Sequence, residues 1–180
     1  MRQIWMVVVL GIALLGFSVL PTPAADLKVG DPAPDFQLQA TDGKTYNLSD
    51  FKDKQAVVLA WFPKAYTRGC TIECKSLTEH GGLIKKYDVT YFMVSVDPLE
   101  QNAGFAAQHQ ADFPLLSDPT KVTATAYGVL NQGGVASRWT FYIGKDGRIA
   151  AIDKAVNPET SAQDMAAKLG ALHIPAHQGS

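Results

Sequence analysis

Apolar residues in this chain fall into short runs separated by turn-forming residues, and their spacing changes along its length. Ala56-Val-Val-Leu-Ala-Trp61 is apolar throughout, the pattern of a strand buried on both faces. Val89 to Val96 reads as a second such strand. Ahead of them lies a Pro/Gly-rich lead-in, Lys28 to Asp35. Phe36-Gln-Leu-Gln then alternates as a strand, and Thr41-Asp-Gly-Lys-Thr45 turns into another near Tyr46. Leu48-Ser-Asp-Phe51 predicts a helical turn capped by Ser49. Between the two buried strands a helix is predicted to about Tyr87, kinked or ended early at Gly81-Gly82. Asp97-Pro98 predicts a further helix, with Asp97 as cap and Pro98 in the first position, ending near His109. Leu115-Leu116 is strand-like and Val122 to Tyr127 helical. Trp139 to Ile143, the turn Gly144-Lys-Asp-Gly147 and Arg148 to Ile152 form a predicted hairpin. Asn157-Pro158 and a Thr160/Gln163 pair resembling a capping box announce the last helix, with Met165, Leu169 and Leu172 on one stripe. Strands alternating with helices, then a hairpin, predict an α/β three-layer sheet without repeats or an internal domain boundary.

The two ends read differently. Met1-Arg2 gives a short positive start, Ile4 to Leu20 is apolar and uncharged, and Pro21-Thr-Pro-Ala-Ala25 supplies a break and small residues. This is the layout of a signal peptide, with cleavage expected after Ala24 and an uncleaved anchor as the alternative. The expected division is therefore residues 1–24 as signal, 25–175 as one domain and 176–180 as a flexible tail, with fraying expected from His173 onward. An exported protein, in a periplasm or its equivalent, can keep disulfides.

At 180 residues, 47% hydrophobic and 18% charged, the chain suits one domain with its own core. A net charge of -1 with no clustered Lys/Arg run supplies no field for nucleic acid. The four histidines form no Cys/His quartet with zinc spacing, and no Gly-rich phosphate loop occurs, so no metal or cofactor is expected.

Both cysteines fall in Phe62-Pro-Lys-Ala-Tyr-Thr-Arg-Gly-Cys-Thr-Ile-Glu-Cys74, directly after the first buried strand and at the start of a helix. A cysteine there faces first-turn N–H groups and the positive end of the helix dipole. That setting favours thiolate, the nucleophilic form. Cysteines are also ordinary core residues, but here each has polar or charged neighbours.

Pro63-x-x-x-Thr67-x-x-Cys70 resembles the active-site motif of peroxiredoxins, and the wider Phe-Pro-Lys-Ala-Tyr-Thr-x-Gly-Cys-Thr-x-Glu resembles the bacterioferritin-comigratory (peroxiredoxin Q) branch. The resemblance runs from Gly30-Asp-Pro-Ala-Pro-Asp-Phe36 through Ser95-Val-Asp-Pro98 to Arg138-x-Thr-Phe and Gly147. It implies a thioredoxin-like three-layer fold with a central mixed β-sheet flanked by helices. It also implies a monomeric thiol peroxidase acting on hydrogen peroxide and organic hydroperoxides, re-reduced by a thioredoxin-like or small-thiol reductant. Two departures are Arg68, where the branch usually has proline, and Cys74, one place nearer to Cys70 than the usual second cysteine.

By that resemblance Cys70 is the peroxidatic residue. Lowering a thiol pKa from about 8.5 to about 6 raises its thiolate fraction near pH 7 only about thirtyfold, so donors placed for the transition state must supply more. The resemblance assigns these to the Thr67 hydroxyl, the N–H groups around Gly69 and Cys70, and the Arg138 guanidinium. Pro63 would shield the thiolate, and Glu73 would orient Arg138 or the helix start. Taken alone, Pro63 is equally a strand terminator, Thr67 a helix N-cap, Arg138 a surface strand residue and Arg68 a solvated charge. Cys74 is expected to resolve Cys70 after the helix start unwinds, with external-thiol resolution as the alternative. Two rival readings are an envelope disulfide oxidoreductase, whose cysteines normally have two residues between them rather than three, and a redox sensor on the same fold.

Overall fold

The computed structural model describes residues 26–177. The expected signal segment and its cleavage site lie outside the described residues. Within them, no helix is long and apolar enough to cross a membrane.

Seven strands form one mixed sheet: β1 (Gln37–Ala40), β2 (Thr45–Asn47), β3 (Ala56–Trp61), β4 (Val89–Ser95), β5 (Leu115–Ser117), β6 (Thr140–Ile143) and β7 (Ile149–Asp153). Their spatial order is β2-β1-β5-β4-β3-β6-β7. The continuous apolar run of β3 occupies the middle, parallel to β4 and antiparallel to β6, and all six of its residues are buried. Strand side chains alternate between faces. Val57, Leu59 and Trp61 therefore enter one apolar layer, and Val58 and Ala60 enter the other with Phe62.

The first layer is closed by a 3₁₀ turn at Leu48–Phe51 and by helix α3 (Val122–Ala126). The second is closed by α1 (Arg68–His80), α2 (Leu99–Gln108) and α4 (Ser161–Ala171). Helix α1 ends at the glycine pair as its sequence predicts, passing into a 3₁₀ turn over Gly81–Leu83. The stripe of Met165 and Leu169 on α4 is core, both being fully buried.

Several termini differ from expectation because the groups the local rules assign to caps are engaged differently. Ser49 does not cap its turn; Asn47 holds that position, and Asp35 accepts the Ser49 and Phe36 N–H groups instead. Asp97 does not cap α2; the helix begins after Pro98, and the Asp97 carboxylate turns inward. Thr160 does precede α4, but its hydroxyl donates to Asp164 rather than forming a capping box with Gln163. The predicted frayed tail is pinned as far as His177. Ala176 bridges Tyr87, the Asp88 N–H donates to the Pro175 carbonyl, and the His177 N–H donates to the Lys86 carbonyl.

Candidate active site

Strand β3 delivers the chain into the site, and its last pairing is with the segment leading into β6. Ala60 lies opposite Thr140, and the Trp61 N–H donates to the Trp139 carbonyl at 2.9 Å. That register sets Arg138 beside the loop leaving β3, although 68 residues separate it from Cys70.

The loop is held from below. The Phe62 N–H donates to the Val94 carbonyl at 2.9 Å, and the Ala65 N–H to the Asp97 carboxylate at 2.8 Å. Asp97 also accepts the Ser95 hydroxyl, and Ser95 meets Asn102, which donates to Ser117. All four are buried, so a satisfied polar network fixes the loop to β4, α2 and β5. Tyr66 then takes a left-handed backbone conformation, φ +64°, with its ring edge-on to Phe105 and its hydroxyl against Gly104. Positive φ is uncommon for a bulky residue and marks a constrained bend immediately before α1.

Cys70 is the third residue of α1 and is completely buried. Backbone bonding at the helix start begins with the Thr71 N–H to the Thr67 carbonyl at 2.9 Å. The N–H groups of Arg68, Gly69 and Cys70 have no hydrogen-bond partner among the described residues, leaving an anion-favouring helix end around the sulfur. Arg138 reaches the same point: Nη2 donates to Cys70 Sγ at 3.2 Å, while Nη1 pairs with Glu73 Oε2. A Cβ on Gly69 would stand 3.1 Å from that Nη2, so the glycine lets the guanidinium lie close over the first turn.

Glu73 has no solvent exposure, and its second oxygen receives the Ser161 hydroxyl at 3.4 Å. Burial pushes its carboxyl up from 4.5 to about 7, against the opposing pull of Arg138 and Ser161. For Arg138, desolvation opposes the charge, but Glu73 and Cys70 outweigh it and hold the guanidinium above its ordinary value. Cys74 is a separate buried thiol one turn further on, pushed up to about 12 by burial, with Glu73 and Cys70 adding to the rise. Two nearly equivalent positions in sequence thus have different electrostatics. Cys70 meets a cation and free N–H groups, whereas Cys74 meets an acid and the core.

The other sequence-derived candidates occupy varied positions. Pro63 is half-buried at the first bend of the loop. Thr67 occupies the N-cap position but makes no side-chain cap; its exposed hydroxyl donates to the Lys64 carbonyl at 2.9 Å. In this arrangement the Thr67 proton is directed at the Lys64 carbonyl and its lone pairs remain open. Arg68 is exposed and makes no ion pair among the described residues. Among those residues, no group of three His, Cys, Asp or Glu side chains is placed to hold a metal ion. Ser161 and the inward-turned Asp97 carry no local sequence signal of their positions, whereas Gly69 could have been singled out as the small residue beside the nucleophile.

The AhpC/TSA family model matches residues 29–152, which include every part of this arrangement except Ser161. The chain belongs to that family. Its activity is that of a thiol-dependent peroxidase, an oxidoreductase built on a peroxiredoxin fold. Peroxiredoxin Bcp of Escherichia coli K12 is 35% identical over 130 residues, covering 68% of this chain and 83% of that protein. Alkyl hydroperoxide reductase E of Mycobacterium tuberculosis is 36% identical over 126 residues, covering 68% and 82%. Among solved structures, peroxidoxin BcpB of Mycobacterium tuberculosis superposes with a TM-score of 0.73 at 29% identity, covering 81% of this chain and 97% of that one. A Xylella fastidiosa PrxQ variant gives 0.75 at 25% identity, covering 82% and 98%. The expected peroxiredoxin resemblance and thioredoxin-like fold are thereby borne out, and the rival reading as a disulfide oxidoreductase is not favoured.

Proposed function

We propose that this peroxiredoxin reduces hydrogen peroxide and organic hydroperoxides at Cys70, in an exported location. The observation that carries the assignment is the Arg138 guanidinium 3.2 Å from Cys70 Sγ at a helix end with unpaired N–H groups. The thiolate attacks the terminal peroxide oxygen, the O–O bond breaks, and Cys70 becomes a sulfenic acid. The departing hydroxide or alkoxide takes up a proton to leave as water or alcohol. Negative charge moves from sulfur to oxygen during this step, and Arg138 with the N–H groups of Gly69 and Cys70 can follow it. Thr67, its proton held by Lys64, offers lone pairs to the peroxide O–H. Because Cys70 is completely buried, only the slim hydroperoxide end of an organic substrate would reach it, the remainder staying outside. Half-buried Pro63, which has no N–H, shapes that entrance.

Cys74 is the resolving thiol in this reading. It condenses with the sulfenic acid, releasing water and forming a disulfide that a thioredoxin-like or small-thiol reductant reopens. On the intact helix, residues four apart have Cβ atoms about 5–6 Å apart, whereas a disulfide needs roughly 3.5–4.5 Å. A thiol held up to about 12 is also a poor attacker, so unwinding the first turn serves both geometry and acidity. The family resemblance favours a monomer.

Mass spectrometry of the protein recovered from expressing cells, before and after one equivalent of peroxide, tests the reading. We expect a mature start at Ala25 in the exported fraction and a Cys70–Cys74 linkage. Cys70→Ser should consume no peroxide, and Cys74→Ser should stop at sulfenic acid. Persistent sulfenic acid in the unaltered protein would remove Cys74 from the scheme, and near-normal turnover by Cys70→Ser would remove Cys70. An intact Met1 on cytosolic protein would exclude export.

A further inference from the structure

The Glu73 carboxylate lies between two partners on opposite sides. Arg138, from the segment before β6, takes one oxygen, and Ser161, the first residue of α4, takes the other. Both Glu73 and Ser161 are buried, and these are the hydrogen bonds the Glu73 side chain makes among the described residues. The docking of α4 here is specific. Ser76, one turn beyond Glu73's neighbour Ile72, accepts the Ala162 N–H at 3.3 Å and donates to the Glu159 carbonyl at 3.2 Å. The start of α4 is thereby fixed against α1 at two points, one of which reaches the active-site acid.

We propose that Ser161 is a positioning residue for the peroxidase reaction: its hydroxyl engages the Glu73 oxygen that Arg138 does not take, and so biases how Arg138 is shared between Glu73 and Cys70. The proposal rests on Cys70 being the reacting thiol. An anionic Glu73 draws the guanidinium toward itself, whereas a neutral one leaves Arg138's charge to the sulfur. A hydroxyl donating to the carboxylate favours the anion, so its removal lets Glu73 keep its proton to higher pH. The groups facing Glu73 are Arg138 from the segment before β6, Cys74 of its own helix and Ser161 of α4, while Cys70 shares the Arg138 guanidinium. Asp164, the acidic residue in the first turn of α4, is exposed and accepts the Thr160 hydroxyl at 2.6 Å.

The test titrates the Glu73 side-chain carboxyl by carbon NMR in reduced, glutamate-labelled protein carrying Ser161, Ser161→Ala or Ser161→Thr. The peroxide-oxidation rate is followed across the same pH range. We expect Ser161→Ala to raise the carboxyl midpoint by about half to one pH unit, with Ser161→Thr close to the unaltered protein. The step in the oxidation rate should move with it. An unmoved midpoint in Ser161→Ala overturns the proposal, as does a moved midpoint that leaves the rate profile in place. If Cys70 fails to react with peroxide at all, the site assignment fails, while the NMR midpoint still reports on Ser161 separately.

Discussion

Replacing Glu73 with glutamine should alter how stability depends on pH, with a sign and size that the burial of this acid dictates. Glu73 has no exposure, and its carboxyl rises from 4.5 to about 7, chiefly through desolvation. A raised folded-state pKa means that the native protein holds a proton that the unfolded chain has released between these values. The corresponding stability is fully present below about pH 4.5 and is lost as pH rises through about 7. The loss amounts to roughly 3 kcal/mol, at up to about 1.4 kcal/mol per pH unit. Glu73→Gln keeps the shape and cannot titrate. Urea unfolding of Cys70→Ser and Cys70→Ser/Glu73→Gln from pH 4.5 to 8.5 isolates the contribution, because the Cys70 thiol is absent from both. At a denaturant slope of about 2 kcal/mol per molar, the gap between the two midpoints should change by about 1.5 M across the range, with the acid-containing protein losing ground. Curves that stay parallel at every pH would refute the buried, proton-binding Glu73.

Two further substitutions probe the Arg138 contact. Arg138→Met should slow Cys70 oxidation by well over the thirtyfold that thiolate fraction can explain, because a donor to the moving charge is lost as well; an unchanged second-order rate in stopped flow would take Arg138 out of the reaction. Gly69→Ala places a methyl group 3.1 Å from Arg138 Nη2 and should slow the same step about tenfold while the far-ultraviolet circular dichroism stays constant; an undiminished rate would show that this approach does not matter.

The parts of this protein legible in its sequence were those written in consecutive residues. The uninterrupted apolar run of β3 announced a central strand, and the cysteine-bearing segment after it announced a nucleophile at a helix start. The pairing of Arg138 with Glu73 was available only through family resemblance, since a sheet register 65 residues long in sequence brings them together. Capping proved the least legible feature. Ser49, Asp97 and Thr160 all sit where local rules favour a cap, yet none makes one: tertiary partners take the Ser49 N–H and the Asp97 carboxylate, and Asp164 in the first turn of α4 takes the Thr160 hydroxyl. Asp97 is instructive: Asp-Pro is a sound helix-start signal, but a buried loop N–H at Ala65 claims the carboxylate. Ser161 and the strand-like tail against Tyr87 gave no local sign, because their meaning depends wholly on what lies opposite.

Glu73 also lies between the two cysteines along the chain, which would give the proposed cycle a mechanical order. Under intramolecular resolution, closing a ring over Cys70–Cys74 carries Glu73 with it and separates the acid from Arg138 and Ser161. Beyond the ring, Ser76 remains clasped to the start of α4, so that contact forms a fence against further unravelling. In that scheme the bond that retires the oxidised sulfur would also dismantle the charge arrangement around it, and a reductant would have to restore a turn of helix as well as two electrons. Helix growth takes nanoseconds per residue, so the rebuilding need not limit turnover. It would act as a ratchet instead: under this scheme the spent site meets another peroxide only after the chain has wound back into its armed form.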